Sequence, residues 1–155
     1  MEEKEEEVLY CVKDGNAVIT LNRPKVGNSL NSGMTKKLLE ILKKAEEDKQ
    51  VHCITITGSG KYFCSGMDLR GALGEEKGGK GGADFLFSTI YDSKKPTIAR
   101  INGPALGGGV GLVFACDIRI ISEDSYIQFP EVYRGILPAL ISGNFLKSYC
   151  NPHLI

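Results

Sequence analysis

The chain has 155 residues, of which 42% are hydrophobic and 25% charged, and its formal net charge is zero. This composition is typical of one soluble globular domain with a sizeable core. The balanced charge argues against a nucleic-acid-binding or membrane-surface protein, and no apolar stretch reaches the roughly 18 residues of a membrane-spanning helix.

The acidic residues are concentrated at the start of the chain. Residues 1–7 contain five Glu and one Lys, which predicts a solvated acidic tail ahead of a single domain over residues 8–155 and is unlike a signal or transit peptide. Five cysteines, an odd number without a CxxC pair, favour a reducing intracellular compartment. Cytosol, mitochondrion and peroxisome stay open. With two histidines, these cysteines match no zinc signature, so no metal site is expected.

The first half of the chain predicts a hairpin, a helix and a strand. Apolar residues 8–12 and 17–21 flank Lys13-Asp14-Gly15-Asn16, a pattern typical of a β-hairpin. Ser32 is predicted to cap a helix with apolar positions at 3.6-residue spacing, and residues 51–57 form a buried strand. The apolar helix positions are Met34, Leu38, Ile41, Leu42 and Ala45.

The second half of the chain continues this alternation of strands and helices. Residues 71–82 are rich in glycine and charge and predict a mobile loop. Asp84 is predicted to cap a short apolar helix, and residues 97–101 form a strand that leads to a triple glycine and a further helix. Strands at 118–121 and 126–129 follow. Such alternation predicts an α/β fold with mostly parallel strands.

Two glycine-containing loops are candidate backbone donors. Gly107-Gly108-Gly109 opens an apolar helical stretch, where amide N–H groups are unpaired and can approach a ligand without an intervening β-carbon. Gly66-Met67-Asp68 follows a β-branched strand and a glycine-rich turn. Two amides that converge on one oxygen can stabilise the enolate of a thioester. The alternative for the triple glycine is a tight turn or close packing against a strand.

Other motifs fail. Residues 74–81 imitate a P-loop but end in Gly81, where Ser or Thr should bind magnesium. There is no GxGxxG fingerprint and no GxSxG elbow. His52 and His153 give no partner for a serine or for Cys64, which argues against a hydrolase, including a peptidase of the same spiral fold.

Four segments in order resemble the enoyl-CoA hydratase/isomerase (crotonase) family. They are LNRPKVGNSLN at 21–31, FCSGMDL at 63–69, NGPALGGG at 102–109 and FPE at 129–131, and the resemblance covers about residues 8–141. It implies a ClpP/crotonase-like spiral of repeated β-β-α units and an acyl-CoA thioester substrate. Because CoA is part of that substrate, no separate cofactor is implied. Assembly as a homotrimer or as a hexamer of two trimers is also implied.

The resemblance assigns roles to individual positions. The amides of Met67 and Gly108 would form the oxyanion hole. Positions that would contact the CoA portion are Lys25, Val26 and Asn28, and those beside the acyl and pantetheine channel are Ser65, Asp68 and Leu69. Gly107 at the glycine turn and Gly111 in the helix that follows would also bind the thioester substrate. Asp68 could instead cap the following turn.

The chain departs from the family hydratases, which carry two glutamates, because Gly111 stands at the first position and Glu131 at the second. Hydration normally shares its proton transfers between two carboxyls, whereas one base can shift a double bond. Enoyl-CoA isomerisation with Glu131 as sole acid/base is therefore slightly favoured. Hydration (a lyase reaction) and an inactive CoA-binding or assembly subunit remain alternatives. Gly111 could open room for a bulkier acyl group, and Glu131 could be a surface carboxylate.

The family continues beyond the point that corresponds to Ile155, through C-terminal helices. A C-terminally short domain is expected to expose apolar residues, weaken oligomer contacts and show low activity or poor solubility. These residues are Ile136, Leu137, Leu140 and Phe145.

Overall fold

The computed structural model describes residues 6–68 and 82–135. The strands are β1 (Val8–Lys13), β2 (Asn16–Leu21), β3 (Cys53–Gly58), β4 (Thr97–Ile101), β5 (Ala105–Leu106), β6 (Ile118–Ile121) and β7 (Ile127–Gln128). The helices are α1 (Ser32–Glu47), α2 (Ala83–Tyr91) and α3 (Gly108–Ala115). Short 3₁₀ turns occur at Pro24–Val26 and Pro130–Arg134. The predictions for residues 69–81 and 136–155 lie outside the described residues.

The main sheet has five strands in the order β1-β2-β3-β4-β6. The predicted hairpin is confirmed, with β1 antiparallel to β2 from Val8 opposite Leu21 to Lys13 opposite Asn16. Asp14 and Gly15 both have positive φ (50° and 77°), as a two-residue type I′ turn requires. The remaining neighbours of this sheet are parallel, which confirms the α/β class. A separate parallel pair joins β5 to β7.

The core lies between the sheet and the helices. Alternate residues of β2 are buried, whereas four consecutive residues of the more central β3 are buried, as expected for a strand covered on both faces. Helix α2 contacts both α1 and α3. The predicted apolar face of α1 is confirmed because all five of its predicted positions are buried.

Both predicted helix caps are wrong by one or two residues. Asn31 caps α1, and its Oδ1 accepts a hydrogen bond from the Met34 amide at 2.7 Å, so Ser32 is the first helical residue. Helix α2 is capped by Gly82 without a side-chain bond, and Asp84 lies in its first turn. An acidic residue there still interacts favourably with the helix dipole. The two-residue strand β5 was not predicted, because so short a strand has no periodicity.

The acidic segment is not wholly solvated at its end. The Glu7 carboxylate accepts a hydrogen bond from Asn31 Nδ2 at 2.9 Å and pairs with Arg23 Nε at 3.1 Å. The Glu7 carbonyl accepts from the Asn22 amide at 2.8 Å. Glu7 therefore belongs to the folded domain. None of the three helices in the described ranges has both the length and the apolar content needed to span a bilayer.

Candidate active site

Gly107 forms the turn between β5 and α3, and Gly108 and Gly109 begin the helix. Gly107 has φ 48° and ψ −121°, a conformation that residues with a β-carbon rarely adopt. Its amide donates to the Gln128 carbonyl at 3.1 Å, and its carbonyl accepts from the Val110 amide at 2.8 Å. Within the described residues, the amide of Gly108, the first residue of α3, has no hydrogen-bond acceptor.

The Gly66-Met67 loop is held against this turn by backbone hydrogen bonds. The Leu106 amide donates to the Cys64 carbonyl at 2.9 Å, and the Leu30 amide donates to the Gly66 carbonyl at 2.8 Å. No acceptor for the Met67 amide lies among the residues that the structure describes. The peptide that carries the Met67 N–H is therefore held through its own carbonyl, that of Gly66, while the N–H has no partner in the described part of the chain.

The two candidate amides lie close together. A β-carbon built on Gly108 would lie 3.3 Å from the Met67 amide nitrogen, and one built on Gly66 would lie 3.1 Å from the Gly108 amide nitrogen. Covalent geometry then keeps the two nitrogens within about 6 Å of each other. The structure thus brings together two loops that lie about 40 residues apart in the sequence.

Glu131 lies over the same turn. A β-carbon built on Gly107 would lie 2.7 Å from Glu131 Oε1. Residue 131 reaches this place because β7, which pairs with β5, leads into its 3₁₀ turn. Glu131 Oε2 is buried and has no hydrogen-bond partner among the described residues. Because an unpaired buried carboxylate oxygen is costly, this atom is a candidate for contact with a substrate. The alternative of a plain surface carboxylate does not fit this burial.

Gly111 is covered by an aromatic ring. A β-carbon built on Gly111 would lie 2.6 Å from both Cε2 and Cζ of Phe87, a residue of α2 that is only 3% exposed. The predicted room for a bulkier acyl group at Gly111 is therefore wrong, because the chain's own ring occupies that space.

Asn28 and Ser65 organise the loops. The Asn28 side chain is fully buried and donates to the carbonyls of Ser59 and Tyr62 at 2.9 and 2.8 Å, while it accepts from the Arg23 amide at 2.9 Å. It has no surface left for the predicted CoA contact. Ser65, half-buried, donates from its hydroxyl to the Val26 carbonyl at 3.2 Å.

Arg23 is a site residue that the sequence analysis did not single out. Its Nη2 pairs with Asp68 Oδ2 at 3.1 Å, and its Nη1 donates to the Ser29 carbonyl at 2.6 Å. The side chains of Arg23 and Asp68 are 17% and 9% exposed. Neither predicted role of Asp68, ligand contact or turn cap, includes this pair. The signal that the sequence offers is an arginine two residues after the end of a half-buried strand, since a charge held near the core needs an acidic partner.

Lys25 and Val26 lie at a surface groove. Lys25 is exposed, Val26 is half-buried, and the groove has a volume of about 200 Å³. Glu7 and Arg23 also line it. Leu69, the remaining predicted contact, lies outside the described residues.

The buried thiols are poor nucleophiles. Burial raises the pKa of Cys64 to about 12, although a hydrogen bond with the backbone of Gly66 opposes the shift. Burial, reinforced by Asp117, raises the pKa of Cys116 to about 12. In the described part of the chain, no three His, Cys, Asp or Glu side chains come together as metal ligands would.

Known proteins resemble this chain in sequence and in fold. The family model for enoyl-CoA hydratase/isomerase matches residues 12–149. Enoyl-CoA hydratase AKT6-1 of Alternaria alternata is 42% identical over 136 residues, which cover 87% of this chain and 46% of the relative. The mitochondrial 3-hydroxyisobutyryl-CoA hydrolase of Xenopus laevis is 38% identical over 154 residues, covering 88% and 40%.

Solved structures agree with the sequence matches. Enoyl-CoA hydratase from Bacillus anthracis has a TM-score of 0.85 and 27% identity, over 96% of this chain and 60% of that one. A Legionella pneumophila chain described as a crotonase-type enoyl-CoA hydratase/isomerase has a TM-score of 0.83 and 30% identity, with the same coverage. The chain spans about half the length of the curated relatives it matches. It has the crotonase fold over its described part and belongs to the enoyl-CoA hydratase/isomerase family.

Proposed function

We propose that the chain binds an acyl-CoA thioester and stabilises its enolate between the amides of Met67 and Gly108, with Glu131 as the single acid/base. One observation carries the proposal. The Glu131 carboxylate lies against Gly107, directly before the Gly108 amide, and among the described residues neither that amide nor the buried Oε2 has a hydrogen-bond partner.

The chemistry follows from where charge develops. When a proton leaves the carbon next to the thioester carbonyl, negative charge grows on the carbonyl oxygen. Two preorganised amides stabilise that charge without reorienting, and each such donor contributes about 3 kcal/mol to lowering the barrier. A carboxylate beside the same turn can take the proton.

A shift of the double bond requires no further group. Glu131 would remove a proton from one carbon, and the same carboxyl would return it to another. Hydration also requires that a water molecule be held and deprotonated. At Gly111, one helical turn after Gly107, the nearest contacts are carbon atoms of Phe87. We therefore favour isomerisation of an enoyl-CoA, although the matched relatives include proteins named enoyl-CoA hydratase.

We also propose that the CoA portion lies along the groove at Lys25 and Val26, where an exposed ammonium group can pair with a phosphate. Assembly into trimers or pairs of trimers is part of the proposal. The edge strand β6 exposes Ile118, Ile120 and Ile121 by 48, 57 and 47%, which gives apolar surface for such contacts.

The test offers the purified chain 3-enoyl-CoA and 2-enoyl-CoA in separate reactions, with Glu131→Gln as the variant and the exposed Glu123→Gln as the matched control. Exchange of the substrate's carbon-bound protons with deuterated solvent reports proton transfer directly. We expect conversion of 3-enoyl-CoA that is lost in Glu131→Gln, retained in Glu123→Gln and accompanied by unchanged CoA-thioester binding.

Three other results would contradict the proposal in different ways. Hydration of 2-enoyl-CoA without conversion of 3-enoyl-CoA would favour the hydratase. Binding without turnover or proton exchange would favour the inactive CoA-binding subunit. Absence of CoA-thioester binding would overturn the whole proposal.

A further inference from the structure

Phe87 fills a space that the glycine at position 111 leaves open. A β-carbon on Gly111 would lie 2.6 Å from two carbons of the ring and 3.1 Å from a third, so any larger residue there must displace the ring. Phe87 is only 3% exposed, and its helix α2 packs on α3. The ring is therefore seated directly on the backbone of α3.

The position of this ring relative to Glu131 follows from helix geometry. Gly107 is the N-cap of α3 and Gly111 lies in the first turn of that helix, so about 6 Å of helix rise separates the two positions. Glu131 covers Gly107, and Phe87 covers Gly111. Between them in sequence, Gly108 is covered by Cγ and Sδ of Met67, at 3.2 Å from its built β-carbon. The stretch from Gly107 to Gly111 is thus covered in turn by the Glu131 carboxylate, the Met67 thioether and the Phe87 ring.

We propose that Phe87 closes the inner end of the acyl-binding space beside Glu131 and so limits the length of the acyl chain that the site accepts. This inference rests on the proposed function, because it takes the Met67 and Gly108 amides as the place of the thioester carbonyl. The acyl chain is the hydrocarbon part of such a ligand, and it has to continue from that carbonyl past Glu131. A buried ring without polar atoms is a suitable end wall for it.

The experiment measures dissociation constants for saturated acyl-CoAs of four, six, eight and ten carbons by titration calorimetry. Phe87→Ala and the milder Phe87→Leu are compared with Leu86→Ala, which removes buried hydrocarbon one position earlier on α2. Saturated chains are not turned over by the proposed reaction, so binding is measured apart from catalysis.

We expect Phe87→Ala to tighten binding of the longer chains by about fourfold for each methylene that enters the vacated space, with little change for the four-carbon chain. Phe87→Leu should show a smaller shift in the same direction. Leu86→Ala should leave the order of preference unchanged. Gly111→Ala should push the ring toward the ligand and weaken binding of the longer chains.

The two proposals fail in different ways. If the unchanged chain binds no acyl-CoA, the proposed function is overturned and this inference with it. If the unchanged chain binds acyl-CoA but folded Phe87→Leu and Phe87→Ala variants keep its chain-length preference, only the role of Phe87 is overturned. A selectivity change of the same size in Leu86→Ala would also refute that role.

Discussion

Replacing Gly107 by alanine is expected to weaken the fold and to disturb the candidate base by two separate routes. The backbone of Gly107, at φ 48° and ψ −121°, lies where an alanine is strained. The new β-carbon would also lie 2.7 Å from Glu131 Oε1, which is closer than such contacts allow. The first effect acts on stability and the second on the position of the carboxylate.

The magnitudes follow from these two terms. Backbone strain of this kind costs about 1–3 kcal/mol, and the lower entropy of an unfolded chain with alanine offsets about 0.4–1 kcal/mol of it. A net loss of about 1–2 kcal/mol is expected. Glu131 Oε1 must retreat by roughly 0.7 Å to reach ordinary contact, and misplacement on the scale of 1 Å can reduce turnover by about 100-fold. We therefore expect a 10- to 100-fold loss of the proposed activity.

Urea unfolding and turnover are the assays, with Gly33→Ala as the matched control. Gly33 is exposed in α1, has no positive φ, and has space for a β-carbon 3.4 Å from Glu7 Oε2. That variant should be neutral or stabilised by up to about 1 kcal/mol. Gly107→Ala in a Glu131→Ala background separates the two contributions. The close contact between the new β-carbon and the Glu131 carboxylate is then removed, while the backbone strain at position 107 remains.

The reasoning is refuted if Gly107→Ala unfolds at the same urea concentration as Gly33→Ala and keeps full activity. It is refuted in part if the double variant recovers all of the lost stability, because the cost would then come from the overlap with Glu131 and not from the backbone.

Three further predictions concern the local interactions. Asn31→Ala should cost about 1 kcal/mol of unfolding free energy because it removes the cap of α1, whereas Ser32→Ala should cost less than about 0.5 kcal/mol. Thermal unfolding measures both variants, and equal costs would contradict Asn31 as the cap. Arg23→Ala should cost about 2–3 kcal/mol of unfolding free energy in urea because it removes the ion pair with the Asp68 carboxylate and the hydrogen bond to the Ser29 carbonyl. Arg23→Lys should restore only part of this loss, and a neutral Arg23→Ala would show that the pair is dispensable. The Cys64 thiol keeps its proton to about pH 12 when folded but loses it near pH 9 when unfolded, so stability should fall between these values by up to tenfold in the folding equilibrium per pH unit. The decline should be shallower in Cys64→Ala, and an identical slope would contradict the assigned burial.

Structural features that depend on a few neighbouring residues could be predicted from the sequence. The hairpin follows from an Asp-Gly turn between two apolar runs, and the buried face of α1 follows from its 3.6-residue period, because each depends on neighbours along the chain. The cap of α1 was misplaced by one residue, since Asn31 and Ser32 are both good capping residues and only the backbone at position 31 decides between them. The strand β5 acquires its identity only from pairing with β7.

The sequence by itself determined the family through its four ordered motifs, the alternation of strands and helices, and the presence of a carboxylate at position 131. Tertiary structure decided what each of these residues touches. Burial of Asn28, the pairing of Arg23 with Asp68 and the seating of Phe87 on Gly111 each join segments 20 or more residues apart. The physical reason is that contact between distant segments depends on strand pairing and helix packing, which bring the Met67 loop, the glycine turn and Glu131 together and which no local pattern encodes.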